Sequence, residues 1–286
     1  MISCIICSRH SDIPTVLKEN IASTIGCEYE VVIIDNSKNE YSIFSAYNAG
    51  ARQSKGDTLC FMHEDIIYHT PNWGKEVECY FTKYPQVGLI GVAGTHYLSS
   101  LPSGWWETEI LSGNLIQGYS ENGVYKTRHD YWANSRNNPT RVVAVDGLWM
   151  CIPRKMFEEI RWDDINLNGF HGYDVDMSLQ IWNIGYEVHI VWDVLLEHRS
   201  QGNLEAKFYE IYERLWTKWG NCLPMIKGIE IGGTEQDART RIVELKAHIR
   251  ERNMVVEQIY HSHAYRLGKV ILSPFSWLRR MLTSKK

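Results

Sequence analysis

Short apolar, β-branched runs alternate with amphipathic stretches along the first two thirds of the chain. Residues 3–8 and 30–35 are continuous apolar runs and predict buried strands, as do 58–62 and 87–92. Between them, 14–25, 41–53 and 73–83 have helix-like composition. Strands alternating with helices imply an α/β domain built on a mostly parallel, Rossmann-like sheet flanked by helices. In such sheets ligands bind outside the carboxyl ends of the strands. Asp35 ends one predicted strand and His63-Glu64-Asp65 follows another, so both are site candidates on position alone.

The pattern then changes. Residues 97–140 are rich in Gly, Ser, Asn and aromatics, and read as a long loop region over a site. Strand character returns over 142–152, interrupted by Asp146-Gly147. A helix is predicted over 174–184, stopped by Gly185, with a strand at 186–192. From residue 235 a long helix carries Ile242, Leu245, Ile249, Val256 and Ile259 at 3-4 spacing, with Arg252 in one apolar slot. This narrow stripe is either a homodimer seam or a face packed on the main domain. The division expected is a catalytic-type domain over 1–225 and a helical extension over 226–286.

The composition narrows the class. At 286 residues with 44% hydrophobic content, the chain can bury a full core without disulfides or structural metal. Seven scattered cysteines, an odd number, point to a reducing cytoplasm. Cys4 and Cys7 form a C-x-x-C, but three residues apart on a strand they face opposite ways. A buried first strand explains them without redox or zinc chemistry. No apolar run reaches the roughly 18 residues of a membrane span, and the N-terminus has no basic region or cleavage site. A net charge of −4 argues against nucleic acid as a partner. The charge is unevenly spread. Six basic residues and no acid lie in 264–286, leaving 24 basic against 34 acidic residues before them. That tail is also apolar, with Phe275, Trp277 and Leu278. It reads either as an interfacial membrane helix or as a helix docked on its own domain.

Four short segments carry the candidate chemistry. A carboxylate at Asp35 can accept hydrogen bonds from a base or a ribose, or simply start a turn. The acidic pair in His63-Glu64-Asp65 can hold a divalent cation, Mn²⁺ or Mg²⁺, that bridges nucleotide phosphates. Asp174 and Asp176 sit two apart at a helix start, where the dipole favours them, and either can serve as a general base. His198 lies just past a strand and offers a nitrogen ligand. Trp105, Trp106 and Trp149 offer flat apolar faces to a sugar, or fill the core.

Taken in order, Ile-Ile-Asp (33–35), Asn-x-Gly (48–50), Lys-Gly-Asp (55–57), Phe-x-His-Glu-Asp (61–65), Val-Asp-Gly (145–147), Tyr-Asp-x-Asp-x-Ser-Leu (173–179), Gly-Tyr-Glu-Val (185–188) and Glu-His (197–198) resemble glycosyltransferase family 2. The resemblance spans about residues 1–203 and implies a GT-A fold and a nucleotide-sugar donor, usually a UDP-sugar. It implies that Ser8, Asp35, Asn48 and Glu64 line the nucleotide, and that Asp65 and His198 hold the metal. Asp146, Gly147 and Trp149 would lie near the donor and acceptor sugars. Asp174 matches the second residue of the family's Glu-Asp pair, the base, and Tyr173 stands where the Glu would be. His63 departs from the family's first Asp.

The resemblance therefore implies a metal-dependent, inverting hexosyl- or N-acetylhexosaminyl-transferase. Its acceptor would be a glycan or a lipid-linked glycan in polysaccharide synthesis, at the cytoplasmic membrane face. A catalytically inactive nucleotide-sugar-binding or scaffold protein of the same fold is the alternative motivated by His63 and Tyr173. Neither G-x-G-x-x-G nor G-x-x-x-x-G-K-[ST] is present, against a dehydrogenase or a P-loop ATPase.

Overall fold

The computed structural model describes residues 1–133, 139–200, 206–263 and 267; for 206, 207, 257 and 260 it describes the backbone alone. The basic apolar tail therefore lies outside the described residues, Leu267 excepted. The first elements alternate as expected: β1 (Ile2–Ser8), α1 (Thr15–Thr24), β2 (Tyr29–Asp35), α2 (Ile43–Gln53), β3 (Thr58–Met62), β4 (Ile66–Tyr68), α3 (Trp73–Lys83) and β5 (Val87–Gly91). Short strands follow, β6 (Ala93–Thr95) and β7 (Tyr97–Leu98), then β8 (Leu111–Glu121), β9 (Val124–Ala133), β10 (Thr140–Arg141), β11 (Ala144–Val145) and β12 (Trp149–Pro153). The remainder comprises α4 (Tyr173–Asn183), β13 (Glu187–Ile190), β14 (Leu196–His198), α5 (Ala206–Trp219), β15 (Met225–Ile226) and α6 (Gly233–His261).

The main sheet runs β10-β13-β5-β12-β3-β1-β2. β1 pairs in parallel with β2 and β3, and β5 with β13, while β12 is wedged antiparallel between β3 and β5. Residues of alternating parity feed two cores. Ile5, Leu59, Phe61, Leu89, Met150 and Ile152 pack on one face, and Cys4, Ile6, Cys60, Met62, Ile90 and Cys151 on the other. Both faces are covered, which is why these strands read as unbroken apolar runs rather than alternating ones. Cys4 and Cys7 point to opposite sides as their spacing requires, and all seven cysteines are free thiols.

Two expectations are corrected. Residues 97–140 are not mainly loop: β8 and β9 form a long antiparallel hairpin, paired from Ser112↔Ala133 to Glu121↔Val124. Its turn is Asn122-Gly123, both with positive φ (53° and 76°), the geometry a two-residue hairpin turn demands. Nor is 142–152 one interrupted strand. β11 belongs to a second sheet, β11-β6-β8-β14-β4 with β9 on β8, and β12 to the main one. Asp146-Gly147 is the crossing between them.

The chain divides into two compact units, Met1–Thr240 and one that begins at Arg241. In the second, the described part of α6 leaves Leu245, Ile249, Val256 and Ile259 exposed. No described helix is long and apolar enough to cross a membrane.

The seat of α2 on β1 depends on Gly50, where a Cβ would stand 2.3 Å from Cγ2 of Ile5. Gly50→Val is expected to cost about 1–3 kcal/mol by overpacking. A lowered thermal midpoint checks this, with Gly220→Ala as control, since nothing lies within 4 Å of that position.

Candidate functional site

Four structural pieces converge at one end of the main sheet. β1 delivers Ser8, and β3 delivers the His63-Glu64-Asp65 turn. The crossing before β12 delivers Asp146-Gly147, and α4 delivers Tyr173 and Asp174 in its first turn. β14, paired antiparallel to β4 with His198 opposite Ile66, adds His198 from the second sheet.

Ser8 and Glu64 meet directly: the buried Ser8 hydroxyl donates to Glu64 Oε2 at 2.5 Å, and the Arg9 amide donates to Oε1 at 3.3 Å. Asp35 ends β2 in register with Ser8 and is exposed. It accepts the Ser37 amide at 2.9 Å, and the Ser37 hydroxyl and amide hold its carboxyl below the usual range. These three residues lie together at the sheet mouth. Asn48 does not join them. It faces inward from α2, its Nδ2 donating to the Trp162 carbonyl at 2.8 Å and its Oδ1 accepting the Trp162 amide at 3.1 Å. Both ends of the amide are used in holding one core tryptophan.

His63, Asp65 and His198 each offer a ligand atom, all within 4.8 Å of one another. His63 Nδ1 lies 3.9 Å and His198 Nε2 lies 3.7 Å from Asp65 Oδ1. His198 Nε2 is buried and has no hydrogen-bond partner. An orphaned buried nitrogen facing a carboxylate and a second imidazole is a donor set that fits a divalent first-row metal. Burial, and then the neighbouring His198, push the His63 pKa down to about 4, so its imidazole is neutral and able to ligate at neutral pH. For Asp65, enclosure opposes ionisation, but His198, a hydrogen bond from Ser200 and then His63 together hold the carboxyl below its ordinary range. The sequence left the role of His63 open. Its signal was there in the spacing His-x-Asp just past a strand.

Asp174 and Asp146 form a carboxylate pair close enough for the charge of one to act on the other. Asp174 accepts the Gly147 amide at 3.3 Å and the Val175 amide at 2.9 Å. Burial, and then the charge of Asp146, push its pKa up to about 7. Burial also raises Asp146, with His198 opposing. A carboxyl raised this far can take up and release a proton near neutral pH. Asp176 is excluded from that role. It is fully buried, takes the Trp219 indole N–H at 2.9 Å and the Gln180 amide at 2.8 Å, and pairs with Lys218 Nζ at 2.8 Å. It is a structural anchor between α4 and α5. Trp149 is likewise core: fully buried, its Nε1 donates to Tyr68 Oη at 2.8 Å and its ring meets Trp73 edge-on. Trp105 is buried too, and of the three tryptophans only Trp106, at 36% exposure, presents a face to solvent.

A family described as "Glycosyltransferase like family" matches residues 2–212. The chain is 27% identical over 187 residues to the streptomycin biosynthesis protein StrF of Streptomyces griseus, an alignment covering 63% of this chain and 61% of that protein. The chain thus spans about three fifths of the length of this curated relative. Among solved structures, GalNAc-T7 with UDP, GalNAc and Mn²⁺ is 16% identical, with 70% of this chain and 44% of that one covered and a TM-score of 0.47. The mannosyltransferase PcManGT of Pyrobaculum calidifontis, in complex with GDP-Man and Mn²⁺, is 10% identical, with 100% and 88% covered and a TM-score of 0.47.

Asn48→Ala is expected to cost about 1–3 kcal/mol, because it strands the Trp162 amide and carbonyl in the core. Nucleotide affinity of the folded fraction is expected to stay at the wild-type level. Chemical unfolding beside nucleotide titration checks both.

Proposed function

Because the chain belongs to the glycosyltransferase-like family, we propose that it is a metal-dependent, inverting glycosyltransferase that uses a nucleotide-sugar donor, a UDP-sugar in the first instance. Its acceptor is a hydroxyl of a glycan or lipid-linked glycan in cell-surface polysaccharide synthesis. The basic apolar sequence of 264–286 supports work at the cytoplasmic membrane face, close to a lipid-linked acceptor. The observation that carries the reading is the meeting, at one sheet end, of the His63, Asp65 and His198 donor set with a buried, raised Asp174.

Asp35, Ser8 and Glu64 lie where the base and ribose of the donor would rest. His63, Asp65 and His198 would hold the divalent cation, which when bound would supply positive charge against the departing diphosphate. Asp174 takes the proton of the acceptor hydroxyl as that oxygen bonds to the anomeric carbon. The bond from that carbon to the diphosphate oxygen breaks, the electron pair leaves with the nucleoside diphosphate, and the anomeric centre inverts. Asp146 raises the proton affinity of Asp174 by its charge, which strengthens the base.

The donor reading is tested by thermal unfolding with UDP, GDP, dTDP and CMP, each with Mn²⁺ or with chelator. A ligand at a hundred times its Kd adds about 2.7 kcal/mol. A Mn²⁺-dependent rise with UDP is expected, and no rise with any nucleotide overturns the donor site.

Asp174→Asn is expected to lower kcat by about 10²–10⁴-fold while nucleotide affinity stays. Wild-type kcat/KM is expected to fall as pH drops through about 7, where Asp174 gains its proton. Stability runs the opposite way. A carboxyl raised from 3.8 to about 7 by folding binds more protons folded than unfolded, so the wild type loses stability as pH rises across that window. Relative to Asp174→Asn, its midpoint is expected to decline over the same range.

A further inference from the structure

His63 has two ring nitrogens with different partners. Nε2 lies 2.7 Å from the hydroxyl of Tyr173, and Nδ1 faces Asp65 Oδ1 at 3.9 Å. A neutral imidazole has one N–H and one bare nitrogen, and only the bare one ligates a metal. We propose that Tyr173 is a positioning residue: its oxygen accepts the Nε2 proton of His63, which leaves the Nδ1 lone pair aimed, with Asp65 and His198, at the cation. The inference rests on the divalent-metal reading above and adds to it the residue that sets which nitrogen binds.

The phenol is held for this from several sides. The Tyr173 ring is buried, with Tyr47 edge-on at 5.7 Å and Phe44 edge-on at 6.3 Å. Its carbonyl accepts the Trp162 indole N–H at 3.0 Å. Gly147 leaves the path open, since a Cβ there would stand 2.4 Å from both Cζ and Oη of Tyr173. Glycine at 147 and tyrosine at 173 thus form one device, an unobstructed lane through which a hydroxyl reaches a ligand imidazole. Ligating histidines in metal sites generally give their other ring N–H to a fixed acceptor, a carboxylate, a backbone carbonyl or water, and here the phenol oxygen takes that place. Tyr173 also precedes Asp174 on α4, so the base and this partner of His63 are set by the same helix turn.

The test uses wild type, Tyr173→Phe and Asp65→Asn, with Mn²⁺ calorimetry and ¹⁵N-histidine NMR of the metal-free protein. Tyr173→Phe keeps the ring and removes only the oxygen. The expected results are a His63 with its proton on Nε2 in wild type and a mixture of tautomers in Tyr173→Phe. Mn²⁺ affinity is expected to weaken by about 10–100-fold in Tyr173→Phe, and Asp65→Asn is expected to bind no Mn²⁺. Should Tyr173→Phe fold poorly, Gly147→Ala is expected to show the same tautomer mixture by displacing the phenol. Equal Mn²⁺ affinity in wild type and Tyr173→Phe, or an Nδ1–H tautomer in wild type, overturns this inference alone. A wild type that binds no Mn²⁺ overturns the metal reading and this inference with it.

Discussion

The seam between β3 and β12 is the constraint on which the rest of the site depends. These strands pair antiparallel from Thr58↔Pro153 to Met62↔Trp149, and one more backbone bond, His63 N–H to the Leu148 carbonyl at 3.0 Å, extends the pairing past the strand ends. That bond fixes the His63-Glu64-Asp65 turn against the Asp146-Gly147 crossing. Two segments more than 80 residues apart in the chain therefore present their side chains to the same small volume. Shift the register by one residue and each side chain turns to the other face. The metal donor set would then part from the carboxylates that stand beside it.

Burial and neighbouring charge act together in that volume, where His63 and Asp65 keep 34% and 33% of their side-chain surface exposed. Carboxyls that would ionise freely in water are pushed up at Asp146 and Asp174, and an imidazole is pushed down at His63. The same burial that makes these groups costly to enclose raises the carboxyls toward neutrality and keeps the imidazole uncharged. Asp65 escapes the trend because His198 and a hydrogen bond from Ser200, with a smaller share from His63, favour its ionised form. Neighbour charge and burial thus shift four titratable groups in different directions, Asp146 and Asp174 upward and Asp65 and His63 downward.

The early strands and helices were legible because their pattern is local. β1, β2, β3 and α3 follow from runs of a few residues, and the expected limits of α3 and β3 coincide with the observed ones. The position of carboxylates at strand ends was legible for the same reason. What the sequence could not show were long-range partners. Asn48 is consumed by Trp162, Asp176 by Trp219 and Lys218, and Trp149 by Tyr68. Each looked available because the partners just named are at least 40 residues away. Asp174 and Asp176 could not be separated from the sequence for that reason, since both open the same helix. The β8–β9 hairpin is a different case. Its Asn-Gly turn signal is local, but the strands are too polar to stand out as strands.

That polarity has its own consequence. Among the described residues β9 pairs only with β8, so its far backbone edge is the longest open one in the fold, a ten-residue strand on which alternate residues leave their donors and acceptors unpaired. An open edge of that length invites a strand from another molecule and, beyond that, aggregation. Lys126, Arg128 and Asp130 stand on β9, most of its side chains are exposed, and such charges oppose edge-to-edge pairing. The composition that hid this hairpin from sequence reading is the same one that keeps its edge from templating intermolecular sheet.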